Sequence, residues 1–419
     1  MRWTVVDLFS GAGGMSYGFH AHPHFDVVAA VDAQVGKPSS GKGTLGCNTT
    51  YAANVGIEPF ECDLSQVDGP GLARLLSPAL GQRDLDVMLA CPPCTGFSRT
   101  NPNNHLRDDP RNSLVLRVAI WVAEMQPKVV VMENARELIN GNFSYHYERL
   151  RKELRQLGYK VHGSIHLLDR VGLPQKRERA LVIAARADIP LRTLEDLWRG
   201  YRVSANATTV RRAIGHLPPV EAGEAHPSDP MHVCPKLARD TTRRRLELLP
   251  KNGGSWVDLV DHPEAVNVLT PAMKRYVAEG KFGSHPDVYG RLWWDRPAVT
   301  IKRECAHVGN GRYSHPEQNR LLTVREMAIL QGFPENYVFK ESSLANMYRH
   351  IGDAVPPLIS YQLAWLASWM LSGRKPRIED VILPGTHLRP EDIVEETTGV
   401  QGTLPLFDTG GLAQDAPAG

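Results

Sequence analysis

From residue 3 to about 184, short runs of β-branched and other apolar residues alternate with longer stretches in which apolar positions return every three or four residues. The first kind reads as strand and the second as helix, and their alternation predicts a parallel sheet covered by helices. Strands are expected at 3–9, 26–31, 59–62, 85–90, 128–132 and 180–184, with helices at 113–125 and 145–157. The predicted class is therefore α/β, a doubly wound, mostly parallel, Rossmann-like sheet whose ligand sits at the carboxyl ends of the strands. From 188 to 290 the alternation fails and the chain turns rich in Pro, Gly, His and Arg, which predicts a smaller, irregular inserted domain. Beyond it Thr323-Val324-Arg325-Glu326 is a capping box opening a helix at 324–330, and 358–371 is a second strong helix. The expected division is 1–187, 188–290, 291–385 with helices returning to the first part, and 386–419 as a disordered tail poor in core-forming residues.

Composition narrows the class without naming a function. A chain of 419 residues, 42% hydrophobic, buries a large core. It has no apolar run of about 18 residues and no charged leader followed by an apolar one, so the expectation is a soluble, cytoplasmic protein with no membrane partner. Six cysteines at irregular positions (47, 62, 91, 94, 234 and 305) suit a reducing compartment better than a disulfide framework. A formal charge of +2 neither demands nor excludes nucleic acid, because clustering of Lys and Arg matters more than their sum.

Candidate chemistry lies at the strand ends. Asp7-Leu8-Phe9-Ser10-Gly11-Ala12-Gly13-Gly14 closes the first strand, and its glycines admit close approach of backbone to a ligand. Ser16 stands where a dinucleotide fingerprint needs its third glycine, which disfavours a nicotinamide cofactor; a structural turn is the plain alternative. Asp32, 21 residues after Gly11, is placed to accept both hydroxyls of a ribose, and Asp63 to receive an adenine amino group. Together they fit a nucleoside without a pyrophosphate. Residues 36–44 imitate a P-loop but carry Gly43 where its magnesium-binding hydroxyl belongs, so a mobile basic loop is the better reading.

Cys91-Pro92-Pro93-Cys94 follows the fourth strand. A redox or half-zinc pair and a single nucleophile at Cys94, presented by stiff prolines and a turn at Gly96, stand level on the motif by itself. No second cysteine or histidine pair lies nearby to complete a zinc site, and no metal is expected. Glu133-Asn134 ends the next strand, where half-desolvation pushes a carboxyl upward and suits it to give a proton; an ordinary strand-end cap is the alternative. Gln175-Lys176-Arg177-Glu178-Arg179 offers two guanidinium groups before the last strand, or simply a charged surface run.

In order, these residues resemble the C5-cytosine DNA methyltransferase family over nearly the whole chain, from Asp7 to about Leu371. The set is DLFSGAGG, Asp32, Asp63, PPCTGFS, Glu133-Asn134, QKRER, a variable stretch, RPAVTI at 296–301 and GDAVPP at 352–357. The resemblance implies S-adenosylmethionine as cofactor and double-stranded DNA as substrate. It implies Cys94 as the nucleophile that adds to cytosine C6, Glu133 as the group that binds or protonates N3, Arg179 as a contact to the flipped base and Arg177 as its support. Phe9, Gly11, Gly13, Gly14, Asp32, Asp63, Leu64, Pro93, Asp353, Ala354 and Val355 match the cofactor-binding positions. Asp353 departs from the family, which commonly has Asn there, a position the resemblance sets beside the cofactor's methionine end. The segment 95–112 is composed as a lid, and Ser98, Arg99, Arg107 and Arg111 are its expected DNA contacts. The stretch 188–290 becomes the target-recognition domain, although Arg243 to Arg245 read equally well as a solvated helix face.

Other readings remain at this point: the same chemistry on RNA, a silent DNA-binding regulator of the same fold, and a nicotinamide oxidoreductase. A restriction-modification setting, with a cognate endonuclease acting separately, is the commonest one the resemblance implies. A monomer, nucleoid-associated when on DNA, is expected. In the tail, the apolar island containing Leu404, Leu406 and Phe407 loosely resembles peptides that dock on bacterial sliding clamps, with chance or packing on the parent domain the stronger reading.

Overall fold

The computed structural model describes residues 2–37, 42–94, 96–97, 106–281, 287–340 and 343–396. Among these, seven strands form one sheet: β1 (Trp3–Leu8), β2 (Phe25–Asp32), β3 (Phe60–Glu61), β4 (Val87–Ala90), β5 (Val129–Ala135), β6 (Tyr159–Leu167) and β7 (Glu178–Arg186). Their order is β3-β2-β1-β4-β5-β7-β6. The first five run parallel, and β7 is antiparallel to both β5 and β6. The strand β6 is absent from the sequence reading: Lys160, His162 and His166 interrupt its apolar residues, and an edge strand tolerates them.

Alternate residues of the central strands face two separate cores. Val5, Val87, Leu89, Val129 and Val131 meet α1 (Gly14–Ala21) and a late helix. Val6, Leu8, Met88, Val130 and Met132 meet α2 (Gly69–Leu80), α3 (Leu114–Met125) and α4 (Tyr145–Gln156). Each such side chain taken fully out of water contributes about 1.5–3 kcal/mol, which is why these strands read as unbroken apolar runs.

A third core runs from Val210 to Ala354 and crosses residue 290. It holds α5 (Val324–Leu330), begun by the expected capping box at Thr323, and much of α6 (Leu344–Asp353). The final helix α7 (Pro357–Ser372) leaves this core and lies on α1. There Gly18 lets the backbones meet, since a Cβ on it would stand 2.3 Å from the Tyr361 nitrogen. Residues 386–396, expected to open a disordered tail, are ordered, and Ile393–Glu395 pairs antiparallel with Tyr201–Val203. Residues 397–419, with Leu404, Leu406 and Phe407, lie outside the described residues. The P-loop imitation also differs from a plain loop, because Val35–Lys37 and Lys42–Thr44 form an antiparallel hairpin.

Candidate active site

At the end of β1 the chain turns through Phe9 and Gly11, both at positive φ (63° and 52°). The turn is fixed by Asp32 at the end of β2, whose Oδ2 accepts from the Gly11 N–H at 2.8 Å and whose Oδ1 accepts from the Gln34 N–H at 2.6 Å. Among the described residues no atom lies within 4 Å of a Cβ built on Gly11, so its face is open to them, whereas Gly14 would put one 2.3 Å from the Val355 carbonyl. The glycine turn thus presents one open face and seals its other side, including Gly13, against helices and Ala354-Val355. Asp63 is exposed at the end of β3 and caps the turn at Leu64–Gln66, Leu64 itself being buried. The buried Ser10 Oγ and Asp7 Oδ1 have no hydrogen-bond partner. An open glycine floor flanked by Asp32 and Asp63, with no phosphate-binding basic residue at the turn, fits the nucleoside of S-adenosylmethionine.

The thiol follows the neighbouring strand end, since β4 pairs with β1. The segment after β4 is tied down by the Cys91 N–H to the Leu8 carbonyl (3.2 Å) and by the Asn134 amide to the Pro92 carbonyl (3.0 Å). Pro93 is exposed and Cys94 half-buried. The Phe97 N–H donates to the Cys94 carbonyl at 3.0 Å, and the buried Phe97 ring meets the edge of His146 at 5.9 Å. Gly96 is required here, since a Cβ would fall 2.1 Å from Asn112 Oδ1. All six cysteines are free, so Cys91 and Cys94 are not bonded to each other.

The antiparallel register of β5 and β7 places Ala135 opposite Arg179, so Arg179 reaches back to Glu133. Arg179 Nε lies 2.7 Å from Glu133 Oε1 in a nearly buried ion pair. Arg177 is buried deeper and donates to the Ile301 carbonyl at 2.9 Å, with longer contacts to the Gly352 and Ala354 carbonyls at 3.5 and 3.4 Å. It therefore pins the 301–354 segment to the sheet. Burial pushes the Cys94 thiol up; Arg179 pulls it back, while Glu133 and Asp353 add to the rise and Arg177 opposes it. Burial, and then Arg179, lower Arg177 to about 9.

The structure thus brings Cys94, Glu133, Arg177, Arg179 and Asp353 into one electrostatic cluster. It does not do so for every expected DNA contact. Arg107 is exposed, Arg111 is held by Asp109 through contacts of 2.8 and 2.6 Å, and Ser98 and Arg99 lie outside the described residues. In the 188–290 stretch, Arg244 is paired with Glu264 and Glu247, and Arg245 is buried against the Val268 carbonyl and the Tyr289 ring, leaving Arg243 exposed. Two residues escaped the sequence reading: Asp108 accepts from His146 (2.8 Å) and Tyr145 at the base of the 106–113 segment, and Arg303 pairs with Asp353. The motif Glu133-Asn134 gives Asn134 no role by itself; in the fold it holds Pro92.

The sequence profile of C-5 cytosine-specific DNA methylases matches residues 3–365. The chain is similar to the Type II methylase M.HgiDII of Herpetosiphon aurantiacus, 31% identical over 386 residues that cover 90% of this chain and 98% of that protein. It is also similar to the Type II methyltransferase M1.HphI of Haemophilus parahaemolyticus, 31% identical over 87% of this chain and 86% of that one. A prophage-encoded DNA modification methyltransferase of E. coli superposes with a TM-score of 0.58 over 88% of this chain and all of its own, at 19% identity, which speaks to the fold. No helix among the described residues is long and apolar enough to cross a membrane. With the profile spanning most of its length, the chain belongs to the C-5 cytosine-specific DNA methylases, a family of enzymes.

Proposed function

We propose that this enzyme methylates cytosine at C5 in double-stranded DNA through a covalent adduct between Cys94 and C6, as the modification half of a restriction-modification system. The observation that carries this reading is the meeting of Cys94 with the Glu133–Arg179 pair at the strand end next to the glycine turn. Bound S-adenosylmethionine supplies an electrophilic methyl group for C5. The chain's residues make C5 reactive. The Cys94 thiolate adds to C6 and drives electron density onto C5, while Glu133 holds or protonates N3 as charge develops there. Arg179 orients Glu133 and supports the thiolate, and Arg177 holds the wall behind both. Once C5 carries the methyl group and S-adenosylhomocysteine has been released, loss of the C5 proton to water expels Cys94 as its thiolate and restores the ring. Because C6 is shielded inside a stacked duplex, the target base must leave the helix to reach the thiol. Phe9, Gly13, Gly14, Asp32, Asp63, Leu64, Pro93, Asp353, Ala354 and Val355 form the cofactor side, and Ser98, Arg99, Arg107 and Arg111 serve the DNA side in this reading.

Single-turnover methylation of unmethylated duplex DNA with radiolabelled cofactor tests it, with tRNA in parallel. Label is expected on DNA cytosine, abolished by Cys94→Ala and retained by Cys91→Ala. Label on tRNA alone would move the substrate to RNA. Label in neither polymer would leave a silent regulator.

A further inference from the structure

We propose that Arg303 is a positioning residue for the methionine end of the cofactor, acting as the counter-charge that allows a carboxylate, Asp353, to stand at that end. The inference rests on reading this cleft as the S-adenosylmethionine site.

Asp353 ends α6, one residue before the Ala354-Val355 pair that packs on Gly14. Its electrostatic neighbours include Arg177 and Asp32, and it acts in turn on Cys94 and Cys47, so it lies between the glycine turn and the thiol. The side chain is 34% exposed, yet the walls around it push its carboxyl up to about 6, against the pull of Arg303. A second carboxylate near Asp32 is unfavourable unless a cation accompanies it. Arg303 supplies that cation: Nη1 meets Asp353 Oδ2, and the guanidinium is only 19% exposed. Glu304 lies 3.9 Å from Arg303 Nε but is itself drawn to Arg349 at 3.1 Å.

The same guanidinium has a second partner. Arg303 Nη2 donates to the Gly36 carbonyl at 2.5 Å, at the start of the Val35–Lys37/Lys42–Thr44 hairpin. That hairpin follows Asp32 directly and is joined to α6 by Asn346 to the Thr44 carbonyl (3.3 Å) and His350 to the Leu45 carbonyl (2.8 Å). Gly36 has no room for a side chain, a Cβ falling 2.8 Å from the Gly43 backbone. Arg303 therefore joins both ends of the cofactor side, Asp32 through the hairpin and Asp353 directly. An amide at 353 would need no such partner, which gives Arg303 a purpose peculiar to this carboxylate.

The test is a double-mutant cycle on binding of S-adenosylhomocysteine, which has the same amino-acid end, by calorimetry on the full chain. Arg303→Gln gives up the charge and is expected to weaken binding about tenfold when Asp353 is present. In an Asp353→Asn background, whatever the affinity of that variant, adding Arg303→Gln should cost clearly less, because the amide at 353 needs no cation. Equal weakening by Arg303→Gln in both backgrounds, or none when Asp353 is present, would overturn the role. A wild type that binds no S-adenosylhomocysteine would instead overturn the reading of the cleft, and this role with it. Without ligand, Arg303→Ala and Arg303→Gln should both speed amide hydrogen exchange at Leu45, whose N–H donates to the Gln34 carbonyl across the base of the hairpin, because neither side chain reaches the Gly36 carbonyl. If the alanine variant does not fold, the Arg303→Gln cycle decides by itself.

Discussion

At the scale of single residues, burial and charge decide what each group at the strand ends does. Cys94 has its thiol pushed up by burial and pulled back by Arg179, so at neutral pH only part of it is thiolate. The single-turnover rate should therefore rise with pH above 7, and Arg179→Ala, which removes the strongest opposing charge, should move that rise to higher pH and slow the step at pH 7.5 by about 100-fold. A rate flat in pH for both proteins would detach Cys94 ionisation from the chemistry. Behind the glycine turn, Asp7 is fully buried and pushed up to about 7, with Ser16 donating to its Oδ2 at 2.6 Å and Tyr51 donating to Ser16 at 2.6 Å. Its folded pKa lies above the unfolded one, so the stability it gives is complete below about pH 4 and is lost as pH rises through about 7. Asp7→Asn, neutral at every pH, should be more stable than wild type at pH 8 by about 1–3 kcal/mol and gain less at pH 5, as read from urea midpoints. An equal change at both values would mean that Asp7 folds charged.

At the scale of elements, what counts is where one segment lets another approach. Gly96→Ala would drive a methyl into Asn112 Oδ1 and Asp109 Cβ, displacing the turn that presents Cys94 while leaving the cofactor side untouched. The expected result is a loss of about 100-fold or more in methylation rate with S-adenosylhomocysteine binding within about threefold of wild type. Lost binding would place the damage in the fold instead. In α5, Glu326 is buried with Arg320 through two contacts of 2.7 and 2.8 Å, which hold its carboxyl down at about 2. Arg320→Ala leaves that charge without its partner and should cost about 3–5 kcal/mol in urea unfolding, far more than loss of an exposed pair such as Arg83–Asp26. Such elements were unevenly legible in the sequence. The parallel strands β1, β2, β4 and β5 announced themselves because both faces are buried, and α5 did so through its capping box. The edge strand β6 carries polar residues that break the pattern. The reversed direction of β7 leaves no mark on composition, yet that direction is what sets Arg179 beside Glu133. Glu133 and Arg179 were each readable from motifs, but their pairing was not. Nor does sequence distinguish the buried Arg245 from the exposed Arg243, since tertiary contacts decide which guanidinium meets a carbonyl and which meets water.

At the scale of the whole molecule, the chain closes on itself: α7 returns to α1, and Arg177 and Arg303 draw the 301–354 segment against the sheet. This closure buries histidines where the separate parts meet. His22, after α1, stands edge-on to Trp365 of α7 at 4.3 Å and is held down at about 3, mainly by burial. His387 in the C-terminal segment and His315 beside the third core are both lowered to about 4 by burial. Each stays neutral when folded but takes up a proton near pH 6.5 when unfolded, so the unfolded chain binds more protons and stability falls as pH drops below about 6.5. For His315 and His387 the loss levels off near pH 4, and for His22 near pH 3. His22→Phe keeps an aromatic ring against Trp365 and removes one titrating group. Compared with wild type, its urea midpoint should fall less steeply between pH 6.5 and 4, even if the variant is slightly weaker at pH 8 through loss of the 3.2 Å bond that His22 Nδ1 accepts from the His24 N–H. The opposite result, a parallel slope in both proteins, would mean that the α1–α7 joint opens before His22 meets a proton, and would make the return of the last helix a separately unfolding step.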